Sequence, residues 1–225
     1  GKDDLFPRDF IINLPAPSNY IGAEKIFGTS LEVDNTNDDL LPIVRKIDDY
    51  RDFFPDSHKR DDVPPTSLPE SLQTAIKCFI VTCAIRIVRG QENKHNSMLI
   101  HISRYLIWQN LLKEVIENQF LFYKRGIEQN DQSIMEQFRA IFEVDSDSYT
   151  SYCTTTQNIL NSSFKDIDNK IEVHKWEEIK PCLYKAVQKI KVMSINGKST
   201  DALEYYENEK TGISLLLVAT NFHEA

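Results

Sequence analysis

Between residues 97 and 120 the chain reads SMLIHISRYLIWQNLLKEVIENQF. A short apolar run, Met98-Leu99-Ile100-His101-Ile102, gives way at Ser103-Arg104 to apolar positions at helical spacing: Leu106, Ile107, Leu111, Leu112, Val115, Ile116 and Phe120. So short a run followed by a period of about 3.6 predicts a buried strand feeding an amphipathic helix. His101, Ser103 and Arg104 fall near the carboxyl end of that strand. Open α/β sheets place their ligand contacts there.

The same reading extends along the chain. LFPRDFIINL, residues 5–14, predicts a brief strand between prolines, and PAPSNYIGAEKIFG a short helix capped by Ser18 or Asn19 and ended by Gly28. Residues 29–66 are polar, acidic and proline-bearing, a long irregular connection. Ser67 is the predicted cap of a strong helix with Pro69 and Glu70 in its first turn, an apolar stripe from Leu72 to Val88, and Gly90 at its end. Two further helices are predicted between 130 and 160, one on Ile134, Phe138, Ile141 and Phe142, the next from near Asp145 through Tyr149, Tyr152 and Ile159. NSSFKDIDNK is a polar loop, and a helix covers Trp176 to Ile190, with Pro181 marking a late start or a kink. IKVMSI (190–195) and GISLLLVAT (212–220) read as buried strands, with a short helix at Asp201–Tyr206 between them. Strands separated by helices predict an α/β fold, rich in helix, with a small, mainly parallel sheet. One domain is expected over 1–225, an irregular arm (1–66) preceding a helix-rich body (67–225).

Composition narrows the class. Hydrophobic residues make up 41% of 225, and seven glycines and nine prolines are too few for low complexity, so the chain is globular. The most apolar window, Ala75 to Val88, is broken by Lys77 and Arg86, and the start GKDDLFPRDF lacks the form of a secretory signal. A cytoplasmic protein without a membrane partner is expected. Cys78, Cys83, Cys153 and Cys182 form no CxxC pair and are expected as buried reduced thiols. The net charge of -8 and pI of about 5.2 exclude a whole-surface electrostatic grip on nucleic acid. Arg86, Arg89, Lys94, Arg104, Lys124 and Arg125 are read as solvated helix faces, with a local basic groove as the alternative.

Few motifs carry chemistry. Gly197-Lys198-Ser199-Thr200 resembles the tail of a phosphate-binding loop, but the first glycine of that loop would have to replace Val192. A hairpin-like turn at Asn196-Gly197 accounts for these residues better. Glu178-Ile179-Lys180 matches half of a metal-dependent nuclease core, with Asp166 or Asp168 as the upstream acid. Carboxylates would hold a divalent cation while the lysine helps activate water. The motif sits, however, in a helical pattern, where such a core needs a strand. No HxH or HxxxH pair occurs among His58, His95, His101, His174 and His223. His101 is either a hydrogen-bonded core histidine or a site residue, and Arg104 either a structural ion-pair partner or a phosphate contact. No Ser-His-Asp spacing, glycine elbow or dinucleotide fingerprint is present.

LFPRDFIINLPAPSNYIGAEKIFG, SLPESLQTAIKCFIVTCAIRIVRG, HNSMLIHISRYLIWQ and VMSINGKSTDALEYY occur in this order. Together they resemble the Z1 domain of prokaryotic endonucleases from Leu5 to Tyr206. SMLIHISR and YIGAEKIF are the most distinctive blocks. The resemblance implies a large parent protein in which the domain accompanies a superfamily-two helicase ATPase, in restriction or phage defence. It brings no catalytic residues. It also implies that SMLIHISR and its helix match the first strand and helix of a helicase second motor lobe, where DNA phosphates are touched. The first lobe's phosphate-binding loop and acidic metal motif have no counterpart. Where the family carries an RGLT-like block, this chain reads Asn221-Phe222-His223-Glu224-Ala225. A truncated or divergent piece without a complete ATPase site is therefore expected. The function expected is DNA positioning by His101, Ser103 and Arg104, with no cofactor of its own. The alternatives are an independent nuclease using Asp166, Glu178, Lys180 and a divalent metal, and a non-catalytic protein-interaction scaffold.

Overall fold

The computed structural model of the chain describes residues 20–27, 40–101, 103, 105–147, 149–195 and 211–219. The strand expected at 5–14, the caps Ser18 and Asn19, Gly28, Arg104, the stretch Gly197–Thr200, the helix expected at Asp201–Tyr206 and the segment Asn221–Ala225 lie outside these residues. The described elements are α1 (Ala23–Phe27), α2 (Glu70–Val88), β1 (Asn96–His101), α3 (Leu106–Glu128), α4 (Gln132–Glu143), α5 (Tyr152–Leu160), α6 (Trp176–Lys189), β2 (Ile190–Ile195) and β3 (Ser214–Ala219).

The chain divides into two compact units, residues 1–44 with 156–172, and residues 45–155 with 173–225. Within the first, the Leu41 N–H bonds the Lys25 carbonyl next to α1, and NSSFKDIDNK forms the expected polar turns, one closed by Asp168 accepting the Lys170 N–H. The second unit carries the sheet.

β1, β3 and β2 lie in that order and are all parallel. The apolar run Leu215–Val218 fills the central strand, buried on both faces as a middle parallel strand must be. β1 and β2 are flanking strands rather than fully buried ones. On β1, Ser97, Leu99 and His101 face outward, with Leu99 62% exposed, while Ile100 points into the core. Because β2 and β3 are parallel, the chain must return across the sheet between them; the turn expected at Asn196-Gly197 lies outside the described residues.

α2 packs chiefly on α6 and also on α4. By length and composition alone α2 is apolar enough to cross a membrane. Here Ile76, Phe79, Ile80, Val81, Cys83, Ala84 and Ile85 sit in the core. Ser67 does not cap it. Asp49 does so from afar, its Oδ2 accepting the Ser71 N–H at 2.8 Å. Burial pushes the Asp49 carboxyl up, but hydrogen bonds from Ser71 hold it below the usual range. The irregular stretch is thus built into the fold: Phe54 is buried and Tyr50 and Phe53 pack on the core. The helix ends as expected at Gly90, whose φ of 68° lets the Gly90 and Gln91 N–H groups bond the Ile87 and Arg86 carbonyls.

α3 is rotated from the expected phase. Its inner face is Trp108, Gln109, Leu112, Ile116, Phe120, Tyr123, Gly126 and Ile127, while Leu106, Ile107 and Leu111 are exposed. Apolar residues occupy two adjoining faces, and packing against β2, β3, α4 and α6 selects one. Gly126 permits the close approach of α4, since a Cβ there would stand 2.6 Å from Ile134 Cγ1. α4 begins where Asp131 accepts the Ile134 N–H. α5 starts later than expected, at Tyr152, because Ser151 caps it through the Thr154 N–H while Asp145 holds the Ser151 N–H. Pro181 lies inside α6. All four cysteines are free, and only Cys83 is buried.

Candidate nucleic-acid interface

β1 ends at His101, on the exposed outer face of the sheet, and α3 begins five residues later at Leu106. Between them Ser103 turns inward and is 4% exposed. Its hydroxyl donates to His58 Nε2 at 2.9 Å and accepts the Tyr105 N–H at 3.1 Å. His58 Nδ1 lies 2.8 Å from the Pro55 carbonyl. A carbonyl can only accept, so Nδ1 carries a proton, and in the singly protonated tautomer Nε2 is the acceptor. The imidazole rests 4.4 Å from the Trp108 ring and meets Tyr105 edge-on at 5.6 Å. Ser103 is thus buried, with its hydroxyl engaged by His58 and by the Tyr105 N–H.

At the same ends of the other two strands, buried Gln109 donates from Nε2 to both the Ile195 and the Val218 carbonyls, each at 2.6 Å. One side chain of α3 thus staples the carboxyl ends of β2 and β3. Gln109→Leu leaves two carbonyls without this donor, and the expected cost is roughly 1–3 kcal/mol. Urea unfolding should show it as a lower midpoint at unchanged slope. A midpoint within error of wild type would mean that other donors replace the amide.

Glu178 and Lys180 do not face each other. Glu178 lies in the first turn of α6 and is folded back onto the Lys175 N–H at 2.8 Å. Lys180 follows it by two residues on the same helix, and positions two apart on a helix do not face each other. Asp166 and Asp168 sit in turns of the first unit. Among the described residues no three His, Cys, Asp or Glu side chains gather closely enough to hold a metal. Nor do the described cations of the 86–125 stretch, Arg86, Arg89, Lys94, Lys124 and Arg125, line the strand ends. Arg86 donates to the His95 carbonyl, and Arg89 donates to His174 Nε2 and the Tyr152 hydroxyl, so both tie the fold together rather than serve as a solvated face. Lys94 precedes β1, at the amino end of the sheet. Lys124 and Arg125 lie in the last two turns of α3, roughly 27 Å along the helix from its start. A cavity of about 10 Å³, room for one water, also lies at the amino ends, lined by Arg86, Lys94, Lys189 and Ser214 among others.

His58 and Gln109 were not singled out in the sequence. Gln109 had a signal: Trp108, Leu112, Ile116, Phe120, Tyr123 and Ile127 follow a helical period that carries residue 109 inward with them. His58, in a polar stretch 45 residues before Ser103, had none. The Z1 domain family model matches residues 71–220. No curated protein and no solved structure matches the chain.

Proposed function

The chain belongs to the Z1 domain family, and from that premise we propose that it is a DNA-positioning module of a restriction or phage-defence endonuclease, working beside a helicase-type ATPase in its parent protein. One observation carries the reading. Three parallel strands bring their carboxyl ends to one edge, and β1 is followed five residues later by a long helix with no acidic residue in its first turn. A helix start carries partial positive charge and unsatisfied N–H groups, which suit a phosphate. Arg104, two residues ahead of it in sequence, and exposed His101 are the groups assigned to the contact, with Ser103 lying between them in sequence. The mechanism is positional. With a net charge of -8 the remaining surface repels DNA, so binding is local and its orientation is restricted.

Arg104→Ala is expected to weaken binding to a labelled duplex about tenfold at low salt and to lower the salt slope by about one. Fluorescence anisotropy across a salt series measures both. Unchanged affinity would remove Arg104 from the contact. A second reading, a protein-interaction scaffold, draws on exposed Leu106, Ile107 and Leu111 at the start of α3. It gains if the chain binds no DNA, and if charge introduced at Ile107 abolishes its association with the rest of the parent protein.

A further inference from the structure

We infer that His58 is a positioning residue of this interface, acting through Ser103 to hold the β1–α3 turn in the geometry that meets a phosphate. The inference rests on the DNA-binding reading and adds the 45–66 stretch to that site. The imidazole is fixed at both nitrogens, by the Pro55 carbonyl and by the Ser103 hydroxyl. The His58 N–H also bonds the Pro55 carbonyl, so the turn from Pro55 to His58 is closed before the ring reaches across. Trp108 and Tyr105, on either side of the start of α3, hold the plane of the ring. Ser103 is then restrained through both functions of its hydroxyl, as donor to His58 and as acceptor from the Tyr105 N–H. A turn ordered in advance binds more tightly than one that must be ordered at the moment of contact. The clasp supplies that order without touching the ligand.

Two causes could make His58 matter, its ring as packing on Trp108 and its hydrogen bond to Ser103, and two substitutions separate them. His58→Phe keeps an aromatic plate and removes both ring hydrogen bonds. His58→Gln loses the plate but presents an amide to the Ser103 hydroxyl. In the full chain, affinity for a fluorescein-labelled duplex at low salt is measured by anisotropy, beside the thermal midpoint of each variant. His58→Phe and Ser103→Ala are expected to bind about three- to tenfold more weakly than wild type. His58→Gln is expected to bind at least about threefold more tightly than His58→Phe although it melts lower. Packing alone ranks the two variants the same way in affinity as in melting, so opposite rankings identify the hydrogen bond. If His58→Phe binds as well as wild type while Arg104→Ala is impaired, this inference falls and the DNA reading stands. If the unsubstituted chain binds no duplex, both fall together.

Discussion

Trp108→Ala is expected to destabilise the chain by about 3–5 kcal/mol, the largest effect of any single substitution near the interface. The indole is 1% exposed and belongs to the main core cluster, and the His58 ring lies 4.4 Å from it. Truncation removes that contact area and leaves a cavity at the start of α3, beside the clasp, where the buried helix face cannot collapse without drawing Gln109 away from the strand ends. Trp108 Nε1 is buried with no hydrogen-bond partner among the described residues, so some of the burial is offset by an unsatisfied donor. That gives a control. Trp108→Phe keeps an aromatic surface for His58 and removes the unpartnered N–H, so it should cost roughly 1–2 kcal/mol at most. Urea unfolding of the three proteins gives the differences, and hydrogen exchange over residues 45–66 should quicken in the alanine variant alone. If alanine and phenylalanine cost the same, Trp108 is not what holds this end of the fold.

Gly212→Ala is expected to cost about 2–5 kcal/mol, from two separable terms. Gly212 has a φ of 65°, in the left-handed region, where an L side chain costs about 1–2 kcal/mol. A Cβ there would also stand 2.7 Å from the Glu92 carbonyl oxygen, which is backbone and cannot swing aside, and 2.9 Å from Lys189 Nζ, which can. The clash pushes β3 at its entry, and β3 is paired on both sides, so a shift there disturbs two ladders. Gly90 separates the terms. Its φ is 68°, yet nothing lies within 4 Å of its added Cβ, so Gly90→Ala should show only the conformational cost of about 1–2 kcal/mol. Thermal unfolding of both variants supplies the comparison. A Gly212 variant no less stable than the Gly90 variant would mean that the turn before β1 yields freely.

Much of the fold was legible in the sequence because the deciding interactions are local. SMLIH ahead of a helical period placed β1 and α3, LLLV placed β3, and Gly90 placed the end of α2. Each follows from side-chain alternation, helical period or a left-handed backbone. The candidate site was legible in its location and less so in its contents. His101 is exposed at the strand end, whereas Ser103 is turned inward, and its partner lies 45 residues away in a stretch without a periodic pattern. The cap of α2 went the same way: Ser67 has the right chemistry next to the helix, but Asp49, 22 residues ahead of Ser71, takes the N–H. The ExK spacing at Glu178 and Lys180 was chemically suggestive and geometrically empty, because a helix turns the two side chains apart.

The sequence by itself determined the class of fold, the order of its elements and the turn between β1 and α3, since these depend on neighbours a few residues apart. Only the tertiary structure decided which face of α3 is buried, which strand is central, and that His58 meets Ser103 while Gln109 bonds the ends of β2 and β3. Two apolar faces on one helix are equivalent until the sheet and the other helices select one. A polar side chain in an irregular stretch has no assigned partner until the chain closes. The physical reason is common to all of these: they depend on contacts between segments far apart in the chain, and such contacts leave no local period.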